Sequence, residues 1–377
     1  MPESDIHIMQ VLHTLEVGGA EKLAYDISNS FDKSFQFSFF CLDALGYLSN
    51  LIKQEGGNVY CFGRKDGWDF GLIKEFAELL TAKKVDIVHA HQYTPYFYAV
   101  LASFFSKRHP KVIFTEHGRH QPDKVRWKRV VFNKIFQHLT AAYTGVARFS
   151  KDCLVEFEKI PENKIDVIYN GIDLERFPKT FDKDKIRKSL GFEADKTLVG
   201  IIARLDPIKN HSVLIEAISL LKNQFPDIQL IVVGEGPMLQ ELKNLVSILA
   251  IDDTVIFTGL RKDVPRILMA LDIFVLPSST EAMSVTLLEA MSASLPVVAT
   301  DVGGNQEVVI PHITGELVQP KDPHQLADAI ESIISAPQKA EQMGKAGRER
   351  VEDMFTFDRM IEQYKKLYLK ITGKQKL

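Results

Sequence analysis

Cysteine is scarce in this chain: three in 377 residues, Cys41, Cys61 and Cys153, far apart and never in CxxC spacing. Neither a disulfide framework nor a structural zinc site is suggested, and sparing cysteine use fits a reducing cytoplasm. Long apolar runs are missing too. No window approaches the ~18–20 uninterrupted apolar residues of a spanning helix, so membrane contact is expected to be peripheral. The opening MPESDIHIMQVLH is acidic and enters a strand-like run directly, without the basic region, apolar stretch and cleavage site of a signal peptide. A net charge of −3 and a pI near 6.4 lack the basic excess of a nucleic-acid binder, so no nucleic-acid partner is expected. No short internal repeat or low-complexity segment occurs, which sets aside solenoids and propellers.

What is present is an ordinary globular composition, 45% apolar and 25% charged, with enough chain for two domains of usual size. Short runs rich in Val, Ile and Phe alternate with longer amphipathic stretches, the pattern of βαβ units around a parallel sheet. The alternation occurs twice. Strands are expected near 7–15, 35–42, 59–62, 85–91, 111–116, 141–146 and 165–169, and again near 197–204, 228–233, 255–259, 272–276 and 296–300. Between the two series, residues 170–196 lose strand character and crowd charges around Pro178, which makes them the linker candidate. The division expected is 1–178, 179–355, and a C-terminal helix over 356–377. In that helix Met360, Ile361, Tyr364, Leu367 and Tyr368 form one apolar face.

The second half holds the densest motifs. GIIARLDPIKN sets Arg204 and Lys209 just past a strand end, where open parallel sheets bind ligands. A guanidinium fork and a flexible ammonium suit a departing diphosphate; the plainer reading is a solvated loop. LIVVGEGPMLQELKNLV reads as a buried strand, the turn Gly234-Glu235-Gly236-Pro237, and a helix with Pro in its first turn. Glycine there lets backbone approach an anion, although a tight βα turn asks for glycine anyway. Glu281 and Glu289 stand eight apart before the turn Gly303-Gly304. With a helix starting near Ser284, Glu289 points sideways toward a ribose-sized diol, and Glu281 reaches a pyranose hydroxyl from the preceding loop. Carboxylates accept well from vicinal hydroxyls. Each glutamate alone is equally well a dipole partner or a salt-bridge residue.

In the first half, Gly18-Gly19 opens a helix after the first strand in a pattern unlike GxGxxG, so a nicotinamide site is not supported. His117 follows VIFTE at another strand end beside Gly118. Its ordinary pKa near ~6.5 would suit a hydrogen-bond donor or polar orienter. Glu16, His89 and His91 are weaker candidates for acceptor contacts.

GGAE at 18–21, EHG at 116–118, YNGID at 169–173, ARLDPIKN at 203–210, GEGP at 234–237, the Glu281/Glu289 pair and DVGGNQEVV at 301–309 are ordered over nearly the whole length. Through them the chain resembles a family-4 retaining glycosyltransferase (glycosyl transferases group 1) of the GT-B fold. That resemblance implies two facing Rossmann-like α/β/α domains with a cleft between them, the acceptor on the N-terminal side and the donor on the C-terminal side. It implies that Arg204 and Lys209 hold the donor diphosphate, Glu289 the ribose and Glu281 the transferred sugar. The amides of Ala282, Met283 and Ser284 would face sugar and phosphates, together with Gly234 and the Gly18-Gly19 loop, and His117 would contact the sugar. Many members carry an EGFG-like turn where this chain has Glu281-Ala282-Met283-Ser284, which leaves the sugar open.

The expected activity is transfer of a hexose-type sugar from a nucleotide sugar, UDP-sugar foremost, to a glycan or lipid-linked acceptor in polysaccharide, lipopolysaccharide or glycolipid synthesis. No second carboxylate is placed as a nucleophile, so front-face substitution is expected, with His117, Arg204, Lys209 and Glu281 catalytic and neither cofactor nor metal required. The rivals are a nucleotide-sugar epimerase or hydrolase, and a silent sugar-nucleotide-binding membrane protein. Residues 107–134 hold nine basic and two acidic side chains, with Trp127, Val130, Val131 and Phe132 interleaved and Ile135 and Phe136 directly after. They suit either anionic lipid at the inner face of the cell membrane or a plain solvated helix face.

Overall fold

The structure, a computed structural model, describes residues 6–16, 18–118 and 125–374. Residues up to Asn170 and from Arg359 onward form one unit, and Gly171–Asp358 form a second.

The first unit is built on strands β1 (Ile6–Leu12), β2 (Phe35–Cys41), β3 (Asn58–Cys61), β4 (Ile87–His91), β5 (Lys111–Glu116), β6 (Thr140–Gly145) and β7 (Ile165–Val167). They form one parallel sheet in the order β3-β2-β1-β4-β5-β6-β7. All residues of β1 and β4 are buried, as expected for strands covered on both faces by crossover helices. The expected first strand to residue 15 ends instead at Leu12, and residues 13–16 form the loop that leads to Gly18. The helix Phe357–Thr372 joins this unit from Arg359 on. Met360, Tyr364, Leu367 and Tyr368 are buried, with the Tyr368 ring 5.7 Å from Phe31 and its hydroxyl 2.8 Å from His89 Nδ1.

The second unit carries β8 (Thr197–Ile202), β9 (Ile228–Val233), β10 (Val255–Gly259), β11 (Ile273–Leu276), β12 (Val297–Thr300) and β13 (Gly315–Val318), parallel in the order β10-β9-β8-β11-β12-β13. The sequence pattern gives no sign of β13. Four residues are too few for a period, and its place is set by the Val297↔Gly315 register, where a side chain on Gly315 would overlap the Val297 carbonyl.

The linker expectation needs correction in two respects. First, the second unit begins at Gly171 rather than after Pro178. Ile172 donates to Phe355 O (2.8 Å) and accepts from Phe357 N (3.0 Å), and Phe177 O accepts from the buried guanidinium of Arg348 (2.8 Å). Second, the charge-rich stretch contains the helix Lys183–Leu190, capped by Asp182, which accepts from Lys185 N (2.9 Å), and closed by Gly191 in the left-handed conformation. Its Arg187 is buried, donates to Ala270 O (2.8 Å) and pairs with Asp272 (2.5 Å). Charge crowding here is anchoring rather than solvation. Among the described residues no helix is long and apolar enough to cross a membrane.

Candidate functional site

In the second unit, β8 ends at Ile202 and the chain turns through Ala203–Asp206 into the short 3-10 helix Pro207–Lys209. Asp206 caps that turn by accepting from Ile208 N (3.1 Å) and also holds Arg204, with Arg204 Nε at 2.7 Å and a terminal nitrogen at 2.6 Å. The Arg204 side chain is 69% exposed, so the rest of its fork stays open for a bidentate anion. Lys209 Nζ lies 2.6 Å from Glu281 Oε1, and Ser278 Oγ donates to the same oxygen at 2.7 Å. The two cations are thus aimed by carboxylates rather than loosely solvated.

Glu281 is positioned from two sides. Its carbonyl accepts from Gly304 N (3.1 Å), in the expected glycine turn, where Gly303 has φ +51. Thr300 Oγ1 donates to Ser278 O (2.6 Å), tying the end of β12 to the loop after β11. Ser284 is the N-cap of the helix Val285–Ser292 and accepts from Leu287 N (3.3 Å), as the sequence suggests. Met283 is buried, whereas Ala282 is partly open. Glu289 stands on that helix, buried, with Arg176 at 3.3 Å. Gly234 follows β9 with φ +141, and an added Cβ would overlap the Ala203 carbonyl and lie 3.7 Å from Arg204 N. The helix expected to have Pro237 in its first turn runs Leu239–Ile248 instead, with Met238 as N-cap, because Pro237 and Met238 are used in a turn that returns Met238 N to Leu205 O (3.1 Å).

The sequence reading missed three partners. Asp206 could have been noticed from Asp-Pro at a helix start. Ser278 and Arg176 carry no local signal, since each is useful only through a glutamate elsewhere in the chain.

In the first unit, Gly18 is the N-cap of the helix Gly19–Asn29, and an added Cβ on Gly19 would meet nothing within 4 Å. Glu16 is exposed and accepts from Tyr47 N (3.4 Å). His117 follows β5 and is only partly buried; its Nε2 lies 2.7 Å from His91 Nδ1, and His91 Nε2 lies 2.7 Å from Gln10 Oε1. His89 is buried beside them, bonded to Tyr368 and to Thr115 Oγ1 (2.7 Å). The structure therefore gathers three histidines that the sequence reading ranked separately. Among the described residues no group of three or more His, Cys, Asp or Glu converges as a set of metal ligands.

Burial lowers the pKa of His117 to about 4 and of His89 to about 3, and holds His91 well below the ordinary 6.5. Burial also brings His211 down to about 4. These groups stay neutral when folded and take up protons on unfolding, so the stability they contribute is complete above pH 6.5 and lost as pH falls toward 4 and then 3. Melting temperature is expected to fall steeply between pH 6.5 and 4, with the steepness reduced in His211→Asn. A flat profile over that window would contradict the assignment.

The basic segment divides in the structure; residues 119–124 lie outside the described part. Arg129 is fixed by Glu158 (3.1 Å) and the Tyr93 ring (4.0 Å), and Arg108 by Asp86 (2.5 Å). Phe132 and Phe136 pack on Phe97. Arg126, Trp127, Lys128, Val131 and Ile135 are exposed, with Trp127 at 69%.

Two family models match: "Glycosyl transferases group 1" over residues 182–350 and "Glycosyltransferase Family 4" over 17–176. The chain is 28% identical over 300 residues to the UDP-Gal:α-D-GlcNAc-diphosphoundecaprenol α-1,3-galactosyltransferase of Escherichia coli, covering 78% of this chain and 77% of that protein. It is 33% identical over 227 residues to the lipopolysaccharide core biosynthesis mannosyltransferase of Rhizobium meliloti, covering 56% and 64%. Among solved structures, a glycosyltransferase from Rickettsia africae superposes with a TM-score of 0.87 at 23% identity, covering 98% and 100%. The Anabaena protein HepE, solved with UDP-glucose, gives 0.85 at 22%, covering 97% and 100%.

Proposed function

From a chain that belongs to the group 1 glycosyltransferases, with two Rossmann-like units of the GT-B class, we propose a retaining transferase that moves a hexose-type sugar from a UDP-sugar to a glycan or lipid-linked acceptor. The observation that carries the donor assignment is the Lys209–Glu281–Ser278 cluster beside Arg204. A cation suited to a diphosphate and a carboxylate suited to a sugar lie 2.6 Å apart, which supports reading them as flanking the bond that must break.

In this reading Arg204 and Lys209 stabilise charge as it develops on the departing diphosphate, with the amides of Ala282, Met283 and Ser284. Gly234 and the Gly18-Gly19 loop give close backbone approach. Glu289 accepts from the ribose hydroxyls, sharing its carboxylate with Arg176, which is 44% exposed and free to shift. His117 contacts the transferred sugar. The acceptor hydroxyl attacks the face the diphosphate leaves and gives its proton to the leaving oxygen, with neither metal nor cofactor. The setting proposed is lipopolysaccharide or polysaccharide assembly, supported by the named relatives.

The test is a thermal-shift screen of nucleotide sugars, since a ligand at ~100 Kd adds about 2.7 kcal/mol of stability. Product analysis with the best donor, by NMR of the anomeric proton and in the presence of chelator, follows. A shift for UDP-sugars and a product of retained configuration are expected. Complete hydrolysis or epimer formation without acceptor would favour the rival enzymes, and an absence of any shift would remove the donor site.

We also propose that the unit carrying Trp127 rests on anionic lipid at the cytoplasmic face. Arg129 is committed to Glu158, so among the described residues Arg126 and Lys128 are the exposed cations beside Trp127, with Lys134 further along the same helix. At ~1 kcal/mol each, replacing both by Ala is expected to weaken binding to phosphatidylserine vesicles roughly 30-fold, while Arg129→Ala loses stability instead. Equal vesicle binding by the double variant and the wild type would dismiss the surface.

A further inference from the structure

Two segments of the second unit are clamped together beside the glutamate assigned above to the ribose. Arg348, itself buried, gives one guanidinium nitrogen to both Phe177 O (2.8 Å) and Ser292 O (2.6 Å). Ser292 ends the helix Val285–Ser292 that carries Glu289, and Phe177 follows the 3-10 turn Leu174–Arg176. That turn is also fixed from within. Asp173 accepts from Glu175 N (3.0 Å), Phe177 N donates to Leu174 O (3.0 Å), and the Phe177 side chain is fully buried. Arg176 therefore projects from a rigid base, and its Nη1 meets Glu289 Oε1 at 3.3 Å across 113 residues of chain.

The meeting leaves most of the guanidinium unspent. The group has five N–H donors. Among the described residues the contact with Glu289 is the only hydrogen bond the Arg176 side chain makes, and that side chain is 44% exposed. One contact at 3.3 Å from a half-exposed arginine is a weak lock, and Arg348 already holds the two segments together. A ribose hydroxyl that donates to a carboxylate still has lone pairs to fill. A guanidinium on the same carboxylate is the donor placed to fill them.

We propose, resting on the assignment of Glu289 to the ribose, that Arg176 is a specificity-determining residue of the donor site: its open N–H groups donate to the ribose hydroxyl oxygens whose protons Glu289 accepts. Other roles would leave other traces. A cation acting only on the diphosphate would strengthen every nucleoside diphosphate alike, and an anchor for the turn would add stability without regard to the ribose. A group that hydrogen-bonds a hydroxyl favours the ligand that has it over the one that lacks it.

Titration calorimetry of the full chain with UDP and with its 2′,3′-dideoxy analogue reads that difference. The wild type is expected to bind UDP about a hundredfold more tightly than the analogue. Arg176→Ala is expected to bind UDP about tenfold more weakly with the analogue unchanged, so that the preference falls to about tenfold. Arg176→Met, which keeps the stem and loses every donor, is expected to behave in the same way and decides the matter if the alanine variant does not fold. An unchanged preference in the folded variant, whether both affinities stay or both fall together, would overturn the proposal. Failure of the donor reading looks different. A wild type that binds UDP and the analogue equally, or neither, removes Glu289 from the ribose and Arg176 with it, whereas a wild type and variant that discriminate equally well remove Arg176 alone.

Discussion

Replacing Lys209 by Ala is expected to lower turnover of the proposed transfer by about two to three orders of magnitude, with the KM for the donor changed far less. The size follows from the charge that Lys209 would meet in that transfer. A preorganised donor aimed at charge that appears only in the transition state contributes roughly 10²–10³ in kcat. Lys209 is held for that task, since Glu281 fixes its ammonium at 2.6 Å while a quarter of the side chain remains accessible. A purely structural role would give a different pattern. If Lys209 served only to hold Glu281, then in a Glu281→Gln background its removal would cost nothing further; if it meets the diphosphate directly, a large part of the loss remains. The double-mutant cycle separates these, with circular dichroism confirming that each variant is folded. A Lys209→Ala enzyme with unchanged kcat/KM would remove the residue from the site.

Gly234→Ala is expected to be the most destabilising small change near the site, lowering the melting temperature by about 10 °C. Its φ of +141 is a backbone conformation open almost only to glycine, and an added Cβ would overlap the Ala203 carbonyl at the base of the Arg204 turn. Strained backbone of this kind costs ~1–3 kcal/mol before the overlap is counted, and each kcal/mol moves the midpoint by ~2–4 °C in a unit of this size. Gly19→Ala is the contrast. Gly19 is the first residue of a helix, is not among the positive-φ glycines, and has open space where the methyl would go. Its melting temperature is expected to stay within about a degree while donor affinity falls, because in the proposed reading the Gly18-Gly19 loop gives backbone approach to the donor. Calorimetry and donor titration of the two variants check both halves: loss of stability at Gly19, or none at Gly234, would contradict the reading.

The alternation of Val- and Ile-rich runs with amphipathic stretches located twelve of the thirteen strands among the described residues, since buried parallel strands are continuous apolar segments. It missed Gly315–Val318, whose four residues gain strand form only by pairing with Val297–Thr300. Residues 170–196 read as a linker because charge is usually solvated, yet Arg187 and Asp272 show charges used as internal anchors across 85 residues of chain. At the site, Arg204, Lys209, Glu281, Ser284 and the glycine turns were legible from local spacing. Arg176, Ser278 and Asp206 were not singled out.

Local order of residues therefore determined, without any structure, most of the strands and which charged side chains follow their carboxyl ends, because those features depend on neighbours within a turn or a strand. Only the tertiary structure decided the pairs: Lys209 with Glu281, Arg176 with Glu289, Tyr368 with His89, and His117 with His91 and Gln10. The physical reason is that a hydrogen bond or ion pair has a range of about 3 Å, and which distant residues come within it is set by sheet order and helix packing, not by separation along the chain.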